Sequence, residues 1–243
     1  MEIKDRTKVA LIDADFLMYY VCPNKKGEEP KTKEQCTALV DKFLKTIFVL
    51  TKSTHYLLFL TVGRCFRYKI DPEYKGNRKK LEKPPHFDYV KEYLITKYQA
   101  KYLIDLEADD LVVCYRKLIP NSFIVSPDKD ILKCIDGEHY NPKENKFVTT
   151  SFEDSIIAFW KSMIIGDTAD NIKGIPGKGE KAAEEIFKDI KFPPARILKN
   201  YIEHFGVDSG IEEFYKNYKL LKILESYEGL EILEPIKIDA DVI

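Results

Sequence analysis

The chain has little of the material from which thiolate, imidazole or membrane chemistry is built. Five cysteines, Cys22, Cys36, Cys65, Cys114 and Cys134, are scattered, odd in number and without a C-x-x-C pair. That spacing indicates neither a zinc site nor a disulfide framework. The four histidines, His55, His86, His139 and His204, are equally dispersed and form no ligand motif. No run of roughly 18 apolar residues exists, so a membrane-spanning helix is not expected. The opening MEIKDRTKVALID lacks an apolar signal core and a small-residue cleavage site. An intracellular, cytoplasmic protein is expected. An excess of one charge is missing too: 39 Lys and Arg face 40 Asp and Glu. Bulk charge therefore selects no partner.

What is present is enough for a core. The 243 residues are 44% hydrophobic, which suits one sizeable domain with an appendage or two small domains. Charge is uneven locally. From Arg64 to Lys83 eight basic residues (Arg64, Arg67, Lys69, Lys75, Arg78, Lys79, Lys80, Lys83) accompany three acids. Such a segment fits a phosphate-contacting surface, or more plainly a solvated loop.

The first half alternates strand and helix patterns. Lys8–Ile12 and Tyr56–Val62 are apolar runs that read as buried strands, and Ser122–Ser126 as a third. Helical spacing covers Lys33–Leu50 and residues 107–118. This pattern predicts an α/β fold, with a mostly parallel central sheet flanked by helices. Residues 72–100, with Pro72, Pro84, Pro85 and many charges, read as an excursion from that sheet. After about residue 150 the character turns helical, with Ser151 as an N-cap and Asp154 three positions on. A Gly- and Pro-rich loop, GDTADNIKGIPGKG, follows, then helical stretches near 179–189, 194–205 and 210–226. The expected division is a core over 1–150 and a helical region over 151–243. The ending LEILEPIKIDADVI suggests a final packed strand or a tail.

Acids fall at the ends of these elements. Asp13 follows the first strand, and Asp128 and Asp130 follow the third. Glu107, Asp109 and Asp110 open a helix, and Asp167 and Asp170 begin the Gly-rich loop. One helix-opening cluster alone is explained by the helix dipole. Four clusters at element ends suit a site beyond the carboxyl ends of parallel strands. If they converge, the repulsion is severe: two charges ~4 Å apart cost about 4 kcal/mol at a dielectric near 20. Carboxylates so placed take up protons or hold metal. Oxygen-only ligands suit hard ions such as magnesium or manganese, two of which can serve phosphodiester hydrolysis.

The Gly-rich loop mimics a P-loop from Gly174 to Gly179, but Glu180 stands where lysine is required. A hairpin between helices, offering backbone N–H groups to a phosphate, fits better. Lys173, Lys178 and Lys181 add charge there.

LIDADFLMYY, FRYKIDPEYKGNR, LEADDL, VSPDKD and GDTADNIKGIPGKGEKA, in this order over residues 11–182, resemble the flap endonuclease and 5′→3′ exonuclease family of bacteriophage and bacterial-polymerase type. The resemblance implies a PIN-like sheet core, a helical arch near 72–100 and a helix–three-turn–helix element near 158–190. It implies Asp13, Glu107 and Asp109 around one metal ion. Asp128, Asp130, Asp167 and Asp170 would surround a second, with Asp109 shared and Asp110 a further acid. Lys75 and Arg78 match basic residues that reach the scissile phosphate, and Tyr19 an aromatic that can stack on a nucleobase, a core tyrosine being the plain alternative. Arg67, Tyr74, Lys79, Lys80, Lys173, Gly174, Gly177, Lys178, Gly179 and Lys181 are expected to contact DNA. The hairpin can hold a potassium ion in relatives. DNA with 5′ ends, flaps or nicks is the implied substrate, and RNA paired to DNA a further one. A monomer is expected, with no membrane association.

Two points depart from the pattern. Relatives usually carry an aspartate after the second strand, where Thr61 stands nearest in LFLTVGRCFR. A hydroxyl is a poorer ligand for a hard dication, so a weaker first site is expected, with Asp15 a partial substitute. A branched-DNA-binding protein with impaired catalysis is the corresponding alternative, and a PIN-like ribonuclease a third. The excursion after Arg78 is also short, with Phe87, Tyr89, Tyr93 and Tyr98 among lysines. It could be a short arch, which its prolines favour, or one helix packed on the core.

Overall fold

The protein is described here by a computed structural model covering residues 7–24, 29–80, 82–187 and 193–239. The side chains of Lys79 and Lys80 lie outside the described residues, as do positions 188–190 of the expected helix–three-turn–helix element.

The apolar runs become the centre of the sheet. Strands β1 (Val9–Asp13) and β2 (His55–Phe59) pair in parallel; between them lie helices α1 (Asp15–Val21) and α2 (Lys33–Thr51). Every residue of β1 is buried, as expected of a strand covered on both faces. Helix α2 starts at a capping box, in which the Thr32 hydroxyl accepts from the Gln35 amide and the Gln35 side chain from the Thr32 amide. A short α3 (Arg67–Ile70), a tight turn at Gly76–Lys80 and α4 (Phe87–Tyr98) follow. Then come α5 (Ala108–Leu118), β3 (Ser122–Val125), α6 (Lys129–Cys134), β4 (Gly137–Asn141) and β5 (Lys146–Thr150). The helical part holds α7 (Phe152–Ile165), a hairpin of β6 (Gly166–Asp167) and β7 (Ile172–Lys173), α8 (Glu180–Phe187), α9 (Pro193–Phe205) and α10 (Val207–Leu221). Last is β8 (Ile236–Lys237).

The six-stranded sheet runs β5-β4-β3-β1-β2-β8. β1 pairs in parallel with both β2 and β3, so the chain reverses its winding direction about β1. A crevice therefore opens beyond the carboxyl end of β1. β5 and β8 are antiparallel edge strands. β8 answers the open question about the C-terminal stretch: Ile223 and Ile238 are buried, so the chain returns from the helical region to the sheet. None of the described helices is long and apolar enough to cross a membrane.

Two features differ from expectation. The segment after Arg78 does not stand off as an arch among the described residues. Val90 and Leu94 of α4 are fully buried in one cluster with α1 and α2. The Tyr93 and Tyr98 hydroxyls both donate to Asp41 of α2, at 2.8 and 2.6 Å. Burial of one apolar face outweighs the prolines, which sit before the helix rather than in it. The β4–β5 hairpin was not anticipated. Its turn, NPKEN, and the alternating KFVTT after it are the signals that mark it.

Candidate metal centre

The crevice collects acids from four segments. Asp13, the last residue of β1, is 8% exposed. Its Oδ1 accepts the Asp15 amide at 3.2 Å and its Oδ2 the Ser126 hydroxyl at 3.0 Å. The residue that follows β3 thus holds the carboxylate at the end of β1. Glu107 is the N-cap of α5, which brings Asp109 and Asp110 into its first turn. Asp128 caps α6 by accepting the Asp130 amide at 2.7 Å. Asp167 and Asp170 sit on the β6–β7 hairpin, where Asp167 accepts the Ala169 amide at 2.7 Å.

A cavity of about 470 Å³ is lined by Asp13, Asp15, Thr61, Glu107, Asp109 and Asp128, with Lys75, Arg78 and Tyr19 also on its wall. A second, of about 30 Å³, is lined by Asp109, Asp130, Asp167 and Asp170. Asp109 borders both. Asp128, which the resemblance groups with the second set, opens instead into the first. Tyr19 is 59% exposed and meets Phe87 edge-on at 5.2 Å, so it is a surface ring beside the acids and not a core tyrosine.

Part of this charge is neutralised by the chain itself. Lys75 donates to Glu107 at 2.5 Å and lies 3.7 Å from Asp170. Arg78 meets Asp170 at 2.6 Å. Burial works against ionisation of Glu107, yet Lys75 and Arg67 hold its carboxyl below the usual range. Burial likewise opposes Asp167, which Lys129 at 3.1 Å and the Ala169 amide hold low. Burial raises Asp170 in spite of Lys75 and Arg78.

Other acids have no ion-pair partner among the described residues. Burial, and then Asp15, push Asp13 up to about 7. Burial and Asp128 push Asp130 up to about 7. Burial, Asp110 and Glu107 carry Asp109 well above the carboxylate range. Carboxylates that resist ionisation together, with oxygen atoms as the available donors, fit hard divalent cations. Oxygens of Glu107, Asp109 and Asp110 lie within 4.8 Å of one another.

Three residues take roles other than those expected. Arg67 was expected at DNA but is 2% exposed. It donates to Asp110 twice, at 2.7 and 2.8 Å, to Glu107 at 3.0 Å, and to the Leu220 and Lys222 carbonyls. A guanidinium spent on five acceptors offers nothing to a phosphate; it ties α10 to the acids. Tyr74, also expected at DNA, is 2% exposed, and its hydroxyl donates to Glu107 and Asp170, each at 2.9 Å. It spaces two carboxylates. Asp110 is fully buried, with Oδ1 taking Arg67 and the Leu224 amide and Oδ2 taking Arg67 and the Glu107 amide. Its lone pairs are used within the fold.

Thr61 does line the first cavity. Its amide donates to Asp15 Oδ1 at 2.9 Å, and its hydroxyl accepts the Ala108 amide at 2.9 Å, capping α5 from outside the helix. Asp15 is therefore beside Thr61, where a substitute carboxylate would be useful, and burial raises its carboxyl although Thr61 offsets this.

The Gly-rich loop joins α7 to α8 as expected. Gly166 has φ +80°, and a Cβ on Gly174 would lie 2.2 Å from the Ile164 carbonyl, so the hairpin folds back on α7 only with glycine there. Gly177 (φ +76°) and Gly179 face open space. Lys173 and Lys181 are exposed, and Lys178 donates to Asn200 at 2.9 Å.

Residues 8–156 match the family described as 5′-3′ exonuclease, N-terminal resolvase-like domain. This chain belongs to that family. A 5′-3′ exonuclease of Aquifex aeolicus is 31% identical over 223 residues, covering 78% of this chain and 72% of that protein. DNA polymerase I of Borreliella burgdorferi is 28% identical over 226 residues, covering 81% of this chain but 23% of the polymerase. The chain thus spans about a quarter of such polymerase relatives. Among solved structures, bacteriophage T5 D15 protein co-crystallised with metal ions shares the fold, with a TM-score of 0.66 at 18% identity over 88% of this chain and 89% of that one. In this fold the acids of β1, α5, α6 and the β6–β7 hairpin line two adjoining cavities.

Proposed function

We propose that this chain is a structure-specific 5′ nuclease that hydrolyses DNA phosphodiesters near free 5′ ends, nicks or flaps, using two divalent metal ions. The single observation behind this reading is that Asp109 borders two adjoining acidic cavities, with Lys75 and Arg78 beside one of them. Asp13, Glu107, Asp109 and Asp128 would hold one ion, and Asp109, Asp130, Asp167 and Asp170 the other. Magnesium suits this oxygen-only set and manganese can replace it. When bound, the ions supply an activated water and charge stabilisation for the leaving oxygen.

The chain's own groups do the rest. Lys75 and Arg78 are the cations that can turn from Glu107 and Asp170 toward a phosphate and stabilise its developing charge. Burial disfavours charge on Lys75, but Glu107 and Asp170 keep its pKa above the ordinary lysine value, so it stays an ammonium at neutral pH. Tyr74 stays protonated because burial and Glu107 raise its phenol, and it keeps Glu107 and Asp170 in register. The exposed Tyr19 ring offers a stacking face to a base. Lys173, Lys181 and the amides near Gly177 and Gly179 offer sequence-independent contacts to duplex backbone, where a potassium ion would also fit the role.

The test is cleavage of a labelled 5′-flap duplex in magnesium, in manganese and in EDTA. Cutting in either ion and none in EDTA is expected. Tight binding without cutting in both ions would replace this reading with the branched-DNA-binding alternative.

A further inference from the structure

A groove larger than either acidic cavity lies next to them. It has a volume of about 760 Å³ and runs between α1, α2 and the β4–β5 turn. Tyr19 and Lys143 line both it and the first acidic cavity, so the two are continuous. Its remaining wall includes Tyr20, Phe43, Leu39 and Lys42, and among the described residues no acid lines it. That is a marked local bias in a chain with 40 acids against 39 bases.

The groove has the two ingredients of single-strand recognition. Tyr20 is 58% exposed, and its ring rests on Phe43 at 4.7 Å, so a face is held ready at little entropic cost. Lys42 and Lys143 are exposed and have no ion-pair partner among the described residues. Aromatic faces interleaved with lysines bind single strands without reading sequence, because every base has a π-face and every nucleotide a phosphate. An apolar protein surface would leave these ammonium groups facing it unpaired.

We propose that this groove binds a single-stranded segment of nucleic acid continuous with the strand whose phosphate lies at the acids. Bases stack on Tyr20, and phosphates lie against Lys42 and Lys143. The inference rests on the nuclease reading for the identity of that strand, but its test does not need cleavage.

The experiment is fluorescence anisotropy of a labelled ten-nucleotide oligothymidylate in EDTA, alongside a blunt duplex of equal length. Wild-type protein, Tyr20→Ala, Tyr20→Phe and Lys42→Glu are compared, with folding checked by circular dichroism. Tyr20→Ala should weaken oligothymidylate binding at least about fivefold, while Tyr20→Phe keeps it. Lys42→Glu should weaken it too and lower the slope of log K against log salt by about 0.7. Duplex binding should change far less. No binding of oligothymidylate by wild type, unchanged binding in both Tyr20→Ala and Lys42→Glu, or equal losses for strand and duplex would each overturn the proposal. If flap cleavage fails while the single-strand losses appear, the nuclease reading falls and the groove stands.

Discussion

Glu107 and Asp13 lie on the same cavity, yet the fold treats them in opposite ways. Glu107 is met by Lys75, Arg67 and Tyr74 and held below the usual carboxylate range. Asp13 is met by one amide and one hydroxyl, and burial beside Asp15 pushes it up to about 7. Asp109 and Asp130 resemble Asp13 in lacking an ion-pair partner among the described residues. One side of the crevice is thus complete in the protein alone, and the other is electrostatically unfinished. An external cation is what the second side needs, and the first side supplies cations that a phosphate can recruit.

The largest effect should come from removing the unfinished side's charge. Asp109→Asn should lower flap cleavage by more than the 10–100-fold typical of losing a partner outside the ligand set. In EDTA the same variant should melt no lower than wild type, because a neutral amide replaces a carboxyl that burial and its acidic neighbours already hold against ionisation. On the complete side the stability result should invert. Arg67→Met leaves Asp110 buried without its ion-pair partner, a loss of roughly 3–5 kcal/mol. At about 2–4 °C per kcal/mol, melting should fall by roughly 6–20 °C whether or not metal is present. If both variants moved melting alike in EDTA, the two sides would not differ.

Lys75→Ala separates the two roles given to that lysine. Cleavage should fall on the order of 10²–10³-fold, while manganese affinity without DNA should rise because Glu107 is released. An equal loss of both would mean that Lys75 only holds the site together.

The comparison also has a pH signature. Asp13 and Asp130 bind protons more tightly folded than unfolded. The stability they contribute to the metal-free protein is full below their ordinary pKa of 3.8 and is lost as pH rises through about 7. Stabilisation by magnesium should therefore be larger at about pH 8 than at about pH 5.5, since protons compete with the ion. At a hundredfold excess over Kd the gain is about 2.7 kcal/mol, or roughly 5–10 °C. Differential scanning fluorimetry at the two pH values checks it, and a shift of equal size at both would contradict it.

The smallest effect is at Thr61. Thr61→Val removes the acceptor of the Ala108 amide and should cost about 1 kcal/mol in urea unfolding. Thr61→Asp keeps an acceptor there and adds charge, so half-maximal magnesium in the cleavage assay should drop a fewfold. Unchanged metal dependence would leave Asp15 sufficient on its own.

These contrasts explain what the sequence could and could not say. Asp13 was legible because an acid after a buried apolar run marks a strand end. Ser151 was legible as a cap, and its hydroxyl accepts the Asp154 amide at 3.0 Å. The capping is not reciprocal, since the Asp154 carboxylate takes the Ser151 hydroxyl instead. Arg67 and Tyr74 were misread because they sit in a basic stretch that looks solvated. Their partners are distant in the chain: Asp110 is 43 residues from Arg67, and the Leu220 carbonyl 153. Only tertiary packing reveals such a partnership. The groove at Tyr20 was invisible for the same reason, since the β4–β5 turn that closes it was itself missed.

Two-ion chemistry in this crevice requires Asp109 to belong to both metal positions at once. Manganese titration followed by electron paramagnetic resonance, on wild type and Asp109→Asn, addresses it most directly. Two saturable ions per chain are expected, both weakened by the substitution. Two ions unaffected by Asp109→Asn, or no saturable binding in wild type, would contradict it.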